Sequence, residues 1–332
     1  MRSGQRSGPR RVAVIGGTGW VGRHVSEAFE RHGHEVLVLA RGAAPWTRGL
    51  RFRALDLVAA PVRELVETLR EEQVDVVVNA TDGANARDGW KRTEAEFTAA
   101  NVDAARRLVE AVATLPGRPR LVHIGTVHEY GPVEAGVLLH EAVEPRPANA
   151  YARTKLAGSR AVLDAAREGA VDGVVLRLAN ACGPHPSPAS FPGMLLRLFR
   201  DAAAGGEAVV RVTGAQLDFV DVRDAADAVL RAATAADAVG RAVNIGSGVA
   251  VPVRTLVAMM VAVTGVPSDA VREDRGPATR LGGDWVRVDN RLAARLLGWR
   301  PRFSLEDSLR AMWRAGVTGS RDAPDRGGLP SR

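Results

Sequence analysis

Between residues 11 and 179, short apolar runs alternate with longer amphipathic stretches. The runs are RVAVIG (11–16), HEVLVLA (34–40), RFRALDL (51–57), VDVVVNA (74–80), RLVHIG (120–125) and GVVLRLA (173–179). They are close to continuous in Val, Ile and Leu instead of strictly alternating, which is how strands covered on both faces read. The stretches at 20–32, 61–72, 92–114 and 150–168 read as the helices between them. Strand and helix in regular turn predict parallel strands joined by crossover helices. The expected fold class is α/β, a Rossmann-type doubly wound parallel sheet.

After about residue 184 the rhythm loosens. HPSPASFPG (185–193) and Gly205-Gly206 interrupt it, and the elements that follow are shorter. Residues 1–10 and about 319–332 are rich in Gly, Ser, Pro and Arg without apolar periodicity, so both are expected to be flexible tails. The expected organisation is a Rossmann domain over 11–184 and a smaller C-terminal α/β domain over 185–318, part of which returns to the first sheet. A ligand would lie at the carboxyl ends of the strands.

Composition narrows the class. With 46% hydrophobic and 25% charged residues the chain has the balance of a folded globular protein. No run approaches the roughly 18–20 apolar residues of a membrane span, and the basic N-terminus leads into a strand, not into a signal-peptide apolar stretch. A cytoplasmic location with no membrane partner is expected. Cys182 is the sole cysteine, so no internal disulfide or cysteine-built metal site is expected, and its expected role is packing. The net charge of +7 comes partly from the tails (Arg2, Arg6, Arg10, Arg11, Arg321, Arg326, Arg332), with other arginines scattered among carboxylates. That distribution argues for a solvated surface and against a nucleic-acid partner.

The motif GGTGWVG (16–22) follows the first strand and opens a helix. It can be read with Gly17, Gly19 and Gly22 or with Gly16, Gly19 and Gly22 as the glycine triplet. Either way the backbone can turn sharply and present helix N–H groups to a pyrophosphate, and Thr18, Trp20 and Val21 fall in the same turn. This makes 11–184 a dinucleotide-binding domain. At the end of the second strand, where a carboxylate selects an unphosphorylated ribose, stand Ala40 and Arg41. That favours NADP(H), with NAD(H) still possible; the alternative for Arg41 is a solvent-facing side chain. Asp56 and Leu57 end the third run, where a carboxylate could meet the adenine amino group or cap a loop.

Tyr151 and Lys155 stand four apart in NAYARTKLAGSR, on one face of a helix. An ammonium beside a phenol would lower the phenol's pKa and make it an acid–base group, although a packing tyrosine is the ordinary alternative. In sequence order the chain also carries GGTGWVG, Asp56-Leu57, VVVNA, Asn101 in NVDAARRLVEA, VHIGTVHEYG, RLANACGP, DFVDVRDAADAVL, VNIGSG and LGWRPRFSLEDSLR. On these residues it resembles the extended short-chain dehydrogenases, the NAD-dependent epimerase/dehydratase family, over about residues 11–312.

The resemblance implies that Thr126, Tyr151 and Lys155 are catalytic. Thr126 and Tyr151 would polarise a carbonyl, and Lys155 would also hold the nicotinamide ribose. Ala80, Thr81 and Asn101 join the cofactor-binding set, Asn101 bracing the site unless it is a helix-surface residue. Dehydratases of the family carry an Asp-Glu pair where this chain has Val127 and His128, so dehydration is not expected. His128 could act as an acid, bind substrate phosphate or pack against Tyr130. Leu217 and Cys182 also depart from the usual pattern, while Arg177, Asn180, Arg275 and Arg280 could serve an anionic pocket. The substrate set is Asp82, Val127, His128, Asn180 and Arg280. The implied function is an NADPH-dependent ketoreductase acting on the 4-keto group of a nucleotide-linked deoxysugar. The alternatives are an NAD-retaining sugar-nucleotide epimerase and a non-catalytic dinucleotide sensor. A homodimer is expected through Ala- and Leu-rich faces of the helices at 92–114 and 150–168.

Overall fold

The computed structural model describes residues 8–82, 92–275 and 284–318. Its strands are β1 (Arg11–Ile15), β2 (Glu35–Ala40), β3 (Arg51–Ala54), β4 (Val76–Asn79), β5 (Arg120–Thr126), β6 (Asp172–Leu178), β7 (Asn180–Cys182), β8 (Ala208–Val212), β9 (Gln216–Asp221), β10 (Ala242–Ile245), β11 (Ala250–Pro252) and β12 (Val271–Arg275). The helices are α1 (Trp20–Arg31), α2 (Val62–Glu71), α3 (Glu94–Thr98), α4 (Ala104–Ala113), α5 (Ala150–Arg167), α6 (Phe191–Ala203), α7 (Val222–Ala232), α8 (Val253–Thr264), α9 (Arg291–Leu297) and α10 (Leu305–Thr318).

The central sheet runs β10-β6-β5-β4-β1-β2-β3, with every pairing parallel. The chain winds outward from β1 in one direction through β2 and β3, then returns to β1's other side with β4. The resulting switch point between β1 and β4 is where an open parallel sheet binds its ligand.

Adjacent residues of one strand serve opposite cores. Val12, Val14, Val76, Val78, Val122 and Ile124 face the cluster that contains Phe29 of α1 and Val229 of α7. Ala13, Ile15, Val77 and Leu121 face the other, with Leu65 of α2, Leu108 of α4 and Val162 of α5. Two buried faces leave no polar register, which explains the unbroken apolar runs. A third cluster, including Cys182, Leu195, Phe199, Val210, Phe219, Met260 and Met312, joins α6, α8 and α10 to the small sheets β11-β9-β7 and β12-β8.

Two local expectations change. The third run ends as a strand at Ala54, and Asp56 and Leu57 enter a turn instead. Asp56 Oδ1 accepts the Val58 N–H at 3.0 Å and its carbonyl accepts the Ala60 N–H at 2.7 Å, local bonds that compete with the ladder. The helix expected at 92–114 contains one turn of π-helix, Ala99–Asp103, between α3 and α4. A methyl group on Gly158 of α5 would run into the carbonyl oxygen of Asn101 in that turn, so the two backbones touch there. Along the two helices, Ala104, Ala105, Leu108, Leu156 and Leu163 are buried within the chain, whereas Arg106, Glu110, Arg153 and Arg160 are exposed. Among the described residues, no helix is long and apolar enough to cross a membrane.

Candidate active site

The turn between β1 and α1 is shaped by close backbone approach. Gly16, at φ +75°, abuts the chain after β4: a Cβ there would lie 2.9 Å from the Ala80 carbonyl and from the Thr81 nitrogen. A Cβ on Gly17 would come 2.8 Å from Val38 Cγ1, and one on Gly22 would strike the Gly16 carbonyl oxygen. Gly19 is exposed and precedes α1 with no side-chain cap, and no acid stands in the helix's first turn. The leading N–H groups and the positive end of the helix dipole are therefore available to an anion, which fits the pyrophosphate of a dinucleotide. Thr18, Trp20 and Val21 are half-buried around the turn. The Trp20 indole donates to the Pro184 carbonyl at 2.8 Å, and His24 Nε2 lies 3.0 Å from the same oxygen.

β2 is tied to this turn by the Gly16 N–H donating to the Leu39 carbonyl at 2.8 Å. Arg41, directly after β2, is exposed, and Gly42, Ala43 and Ala44 follow it, so no carboxylate ends that strand. Leu57 is buried in the core beside Leu65, and its carbonyl accepts from Arg107 Nη2 at 3.0 Å. Its side chain belongs to packing.

Thr126 ends β5 and caps the 3-10 turn Val127–Tyr130. Its hydroxyl accepts the His128 N–H at 3.3 Å, while its own N–H donates to Glu129 Oε1 at 3.1 Å. Glu129 is fully buried and also accepts from Ser159 Oγ at 2.8 Å and Arg177 Nε at 2.8 Å. Arg177 Nη1 donates to the Tyr130 hydroxyl, which donates onward to Asn244 Oδ1. Sequence reading missed Glu129. The signal was available in Thr126-x-x-Glu129, the spacing of a capping box.

α5 starts at an Asn149 side-chain cap, which accepts the Ala152 N–H at 2.8 Å and sets Tyr151 in the first turn. The Tyr151 hydroxyl donates to Asp82 Oδ2 at 3.1 Å. Its ring meets Phe97 of α3 edge-on at 5.8 Å and His128 at 6.4 Å between centroids. Lys155, one turn later and buried, donates from Nζ to the Ile124 carbonyl at 2.7 Å. The expectation that Lys155 would lower the phenol's pKa is not met. Burial first, then the charge and hydrogen bond of Asp82 and the charge of Glu129, hold Tyr151 well above its ordinary value, against the Thr126 hydroxyl bond. Burial also lowers His128, against the pull of Asp82.

Two second-tier pairs support the site. Asn101 Nδ2 donates to Thr154 Oγ1 at 3.0 Å from a buried position, so it braces α5. Asn79 Oδ1 accepts both the N–H and the hydroxyl of Thr81, leaving its Nδ2 to donate to Nδ1 of buried His123 at 3.1 Å. The glycine turn presses on Ala80 and Thr81, and the next residue, Asp82, holds the phenol. One short segment thus spans the two halves of the site.

A sequence model of the NAD dependent epimerase/dehydratase family matches residues 12–246. The chain belongs to this family. It is an NAD(P)-dependent oxidoreductase by that membership. The chain is similar to the dTDP-6-deoxy-L-talose 4-dehydrogenase (NAD(P)(+)) of Kitasatospora kifunensis, 38% identical over 313 residues that cover 93% of this chain and 96% of that one. It is 26% identical over 321 residues to the GDP-6-deoxy-D-mannose reductase of Pseudomonas aeruginosa, covering 91% and 96% of the two chains. Among solved structures, MoeE5 in complex with UDP-glucuronic acid and NAD superposes with a TM-score of 0.80 at 27% identity, over 94% of this chain and 100% of that chain.

Within this epimerase/dehydratase fold the expected substrate residues divide. Asp82 and His128 stand at the phenol, His128 packing on Tyr151 and not on Tyr130. Val127 is 2% exposed and packs in the main core. Asn180 is half-buried and donates to the Asp218 carbonyl at 3.0 Å. Arg177, buried, pairs with Glu129 at 2.8 Å. Arg280 lies outside the described residues. Asp218 is structural: its two oxygens accept the N–H groups of Ser247, Gly248 and Val288 and the Ser247 hydroxyl. Burial pushes the Cys182 thiol up to about 12.

Proposed function

We propose that this family member is an NADPH-dependent ketoreductase acting on the 4-keto group of a nucleotide-linked deoxysugar. The observation that carries the reading is that the Tyr151 hydroxyl, bonded to Asp82, stands beside the Thr126 hydroxyl at the end of β5, with Lys155 buried one turn along α5, so the site offers a proton donor with a second hydroxyl next to it. A carbonyl oxygen gaining negative charge needs both.

The 16–22 turn, Ala80, Thr81 and Lys155 would hold the dinucleotide, whose reduced nicotinamide supplies hydride when bound. Tyr151 gives its proton to the carbonyl oxygen, and Thr126 donates a hydrogen bond to the same oxygen. Lys155 spends one N–H on Ile124, and its other N–H groups are free in number to serve ribose hydroxyls. Val127 and His128 provide no carboxylate pair after Thr126, so water elimination lacks its acid–base groups. Arg41 at the end of β2 suits a 2′-phosphate, with NAD(H) as the weaker cofactor. The names of the Kitasatospora dehydrogenase and the Pseudomonas reductase support a 6-deoxysugar nucleotide as the substrate class.

The test mixes enzyme, NADPH and a dTDP-4-keto-6-deoxysugar and follows loss of the reduced-nicotinamide band. Tyr151→Phe should lower kcat by about 10²–10⁴, and kcat/KM should be higher with NADPH than with NADH. Unchanged turnover in Tyr151→Phe sinks the assignment. Tightly held NAD that interconverts 4-hydroxyl epimers without net consumption would make the protein an epimerase.

A further inference from the structure

We infer that Asp82 is a positioning residue for Tyr151: its carboxylate holds the phenolic hydrogen until the carbonyl oxygen of the substrate takes its place. The inference rests on Tyr151 being the proton donor proposed above.

Asp82 is placed by anchors on both sides of the sheet's switch point. Thr81, immediately before it, donates twice to Asn79 Oδ1, at 3.1 Å from its N–H and 2.6 Å from its hydroxyl. Gly16 packs against the same residue. The Asp82 side chain then reaches the Tyr151 hydroxyl at 3.1 Å.

The groups facing the phenol come from four elements. They are Asp82 after β4, Phe97 from α3, Thr126 at the end of β5, and His128 and Glu129 in the turn after it, while Lys155, one turn along α5, donates to the Ile124 carbonyl. Of the two carboxylates, Glu129 already accepts from Thr126, Ser159 and Arg177. Asp82 alone of the pair is bonded to the phenol. It is also exposed, whereas Tyr151 is 6% exposed, so an entering ligand can displace the carboxylate without opening the core.

The step balances without consuming Asp82: hydride from the bound reduced cofactor would form the new C–H bond at the carbonyl carbon as the C=O electron pair shifts to oxygen, the phenol O–H bond breaks and its proton joins that oxygen, so the carbonyl is reduced, the cofactor oxidised, and the phenolate regains its proton from solvent before the next turnover. While Asp82 is in place it also opposes ionisation of the phenol, because a second negative charge beside it is unfavourable.

The chain has two tyrosines, Tyr130 and Tyr151, so their ionisation can be followed directly by near-ultraviolet phenolate absorbance. Asp82→Asn is expected to lower the midpoint of one of the two transitions by about one pH unit and leave the other in place. Asp82→Glu is expected to restore it. In turnover assays the loss of reductive kcat/KM at high pH should move to lower pH in Asp82→Asn, with KM for NADPH unchanged.

The inference is overturned if neither transition moves, if both move together as a loosened fold would make them, or if Asp82→Glu behaves as Asp82→Asn does. The titration needs no substrate. A shifted transition in a protein that reduces no keto-sugar nucleotide upholds the Asp82 role and rejects the proposed reaction; turnover with an unshifted transition does the reverse.

Discussion

Arg177 Nε lies 2.8 Å from Glu129 Oε2, and both side chains are shielded from water, 6% and 0% exposed. Glu129 does not touch the phenol, yet it holds the backbone N–H of Thr126 through its other oxygen. The ion pair therefore sets where the Thr126 hydroxyl stands.

Removing either partner leaves a buried charge without compensation. Glu129→Ala should cost about 3–5 kcal/mol of folding stability, read from urea denaturation, and should lower kcat because the Thr126 turn loses its cap. Glu129→Gln keeps acceptor and shape but not charge, and should be destabilised as well. A change below about 1 kcal/mol in Glu129→Ala would mean that water reaches the pair.

Gly22→Ala tests the cofactor turn. Its methyl group would strike the Gly16 carbonyl oxygen, so the turn must open at the point where the pyrophosphate would sit. NADPH affinity should fall about tenfold, about 1.4 kcal/mol, by calorimetry on the folded protein. Gly205→Ala provides a contrast: it has a positive φ of 94° and open space around it. It should strain the backbone and lower stability without weakening cofactor binding.

His123 makes stability depend on pH. Burial first, then the Lys155 charge, lowers it from 6.5 to about 3. Above 6.5 it is neutral in the folded and unfolded chain alike, and its contribution to stability is intact. As pH falls below 6.5 the unfolded chain takes a proton that the folded chain refuses until about 3. Stability is then lost at up to about 1.4 kcal/mol per pH unit from this one group. Wild type should lose about 2 kcal/mol more than His123→Gln between pH 7 and pH 5, by denaturant unfolding at both values.

Cys182 should be inert. A thiol raised to about 12 and 1% exposed presents almost no thiolate at neutral pH. A thiol reagent should label no cysteine in the native protein and one per chain after denaturation. Rapid native labelling would show that the β7–α6 core opens.

β1, β2, β4, β5 and β6 were legible because each is buried on both faces over nearly its whole length, whereas β3, RFRA at the edge of the sheet, is exposed or half-buried throughout. The glycine turn and the Tyr151/Lys155 spacing were legible because each chemistry demands a fixed residue type at a fixed step. What could not be read was partnership across the fold. Nothing in the local sequence tells that Arg177 answers Glu129, 48 residues away, or that Lys155 turns to the Ile124 carbonyl. The expected direction of the Tyr151 pKa failed for the same reason. It followed the neighbour on the helix, whereas burial, first, and then a carboxylate arriving from the end of another strand hold the phenol up. Asp56 misled through its own side chain, which ends β3 early by bonding to Val58.

The π-turn at Ala99–Asp103 accommodates one residue more than an α-helical path of the same height would. Deleting a single alanine from it would let α3 and α4 fuse into one regular helix, swinging everything upstream by about 100°. Phe97 would then leave the edge of the Tyr151 ring, and the Asn101 carbonyl would no longer meet Gly158. That surplus residue is a spacer: it keeps the Phe97 ring in phase with the helix that carries the phenol.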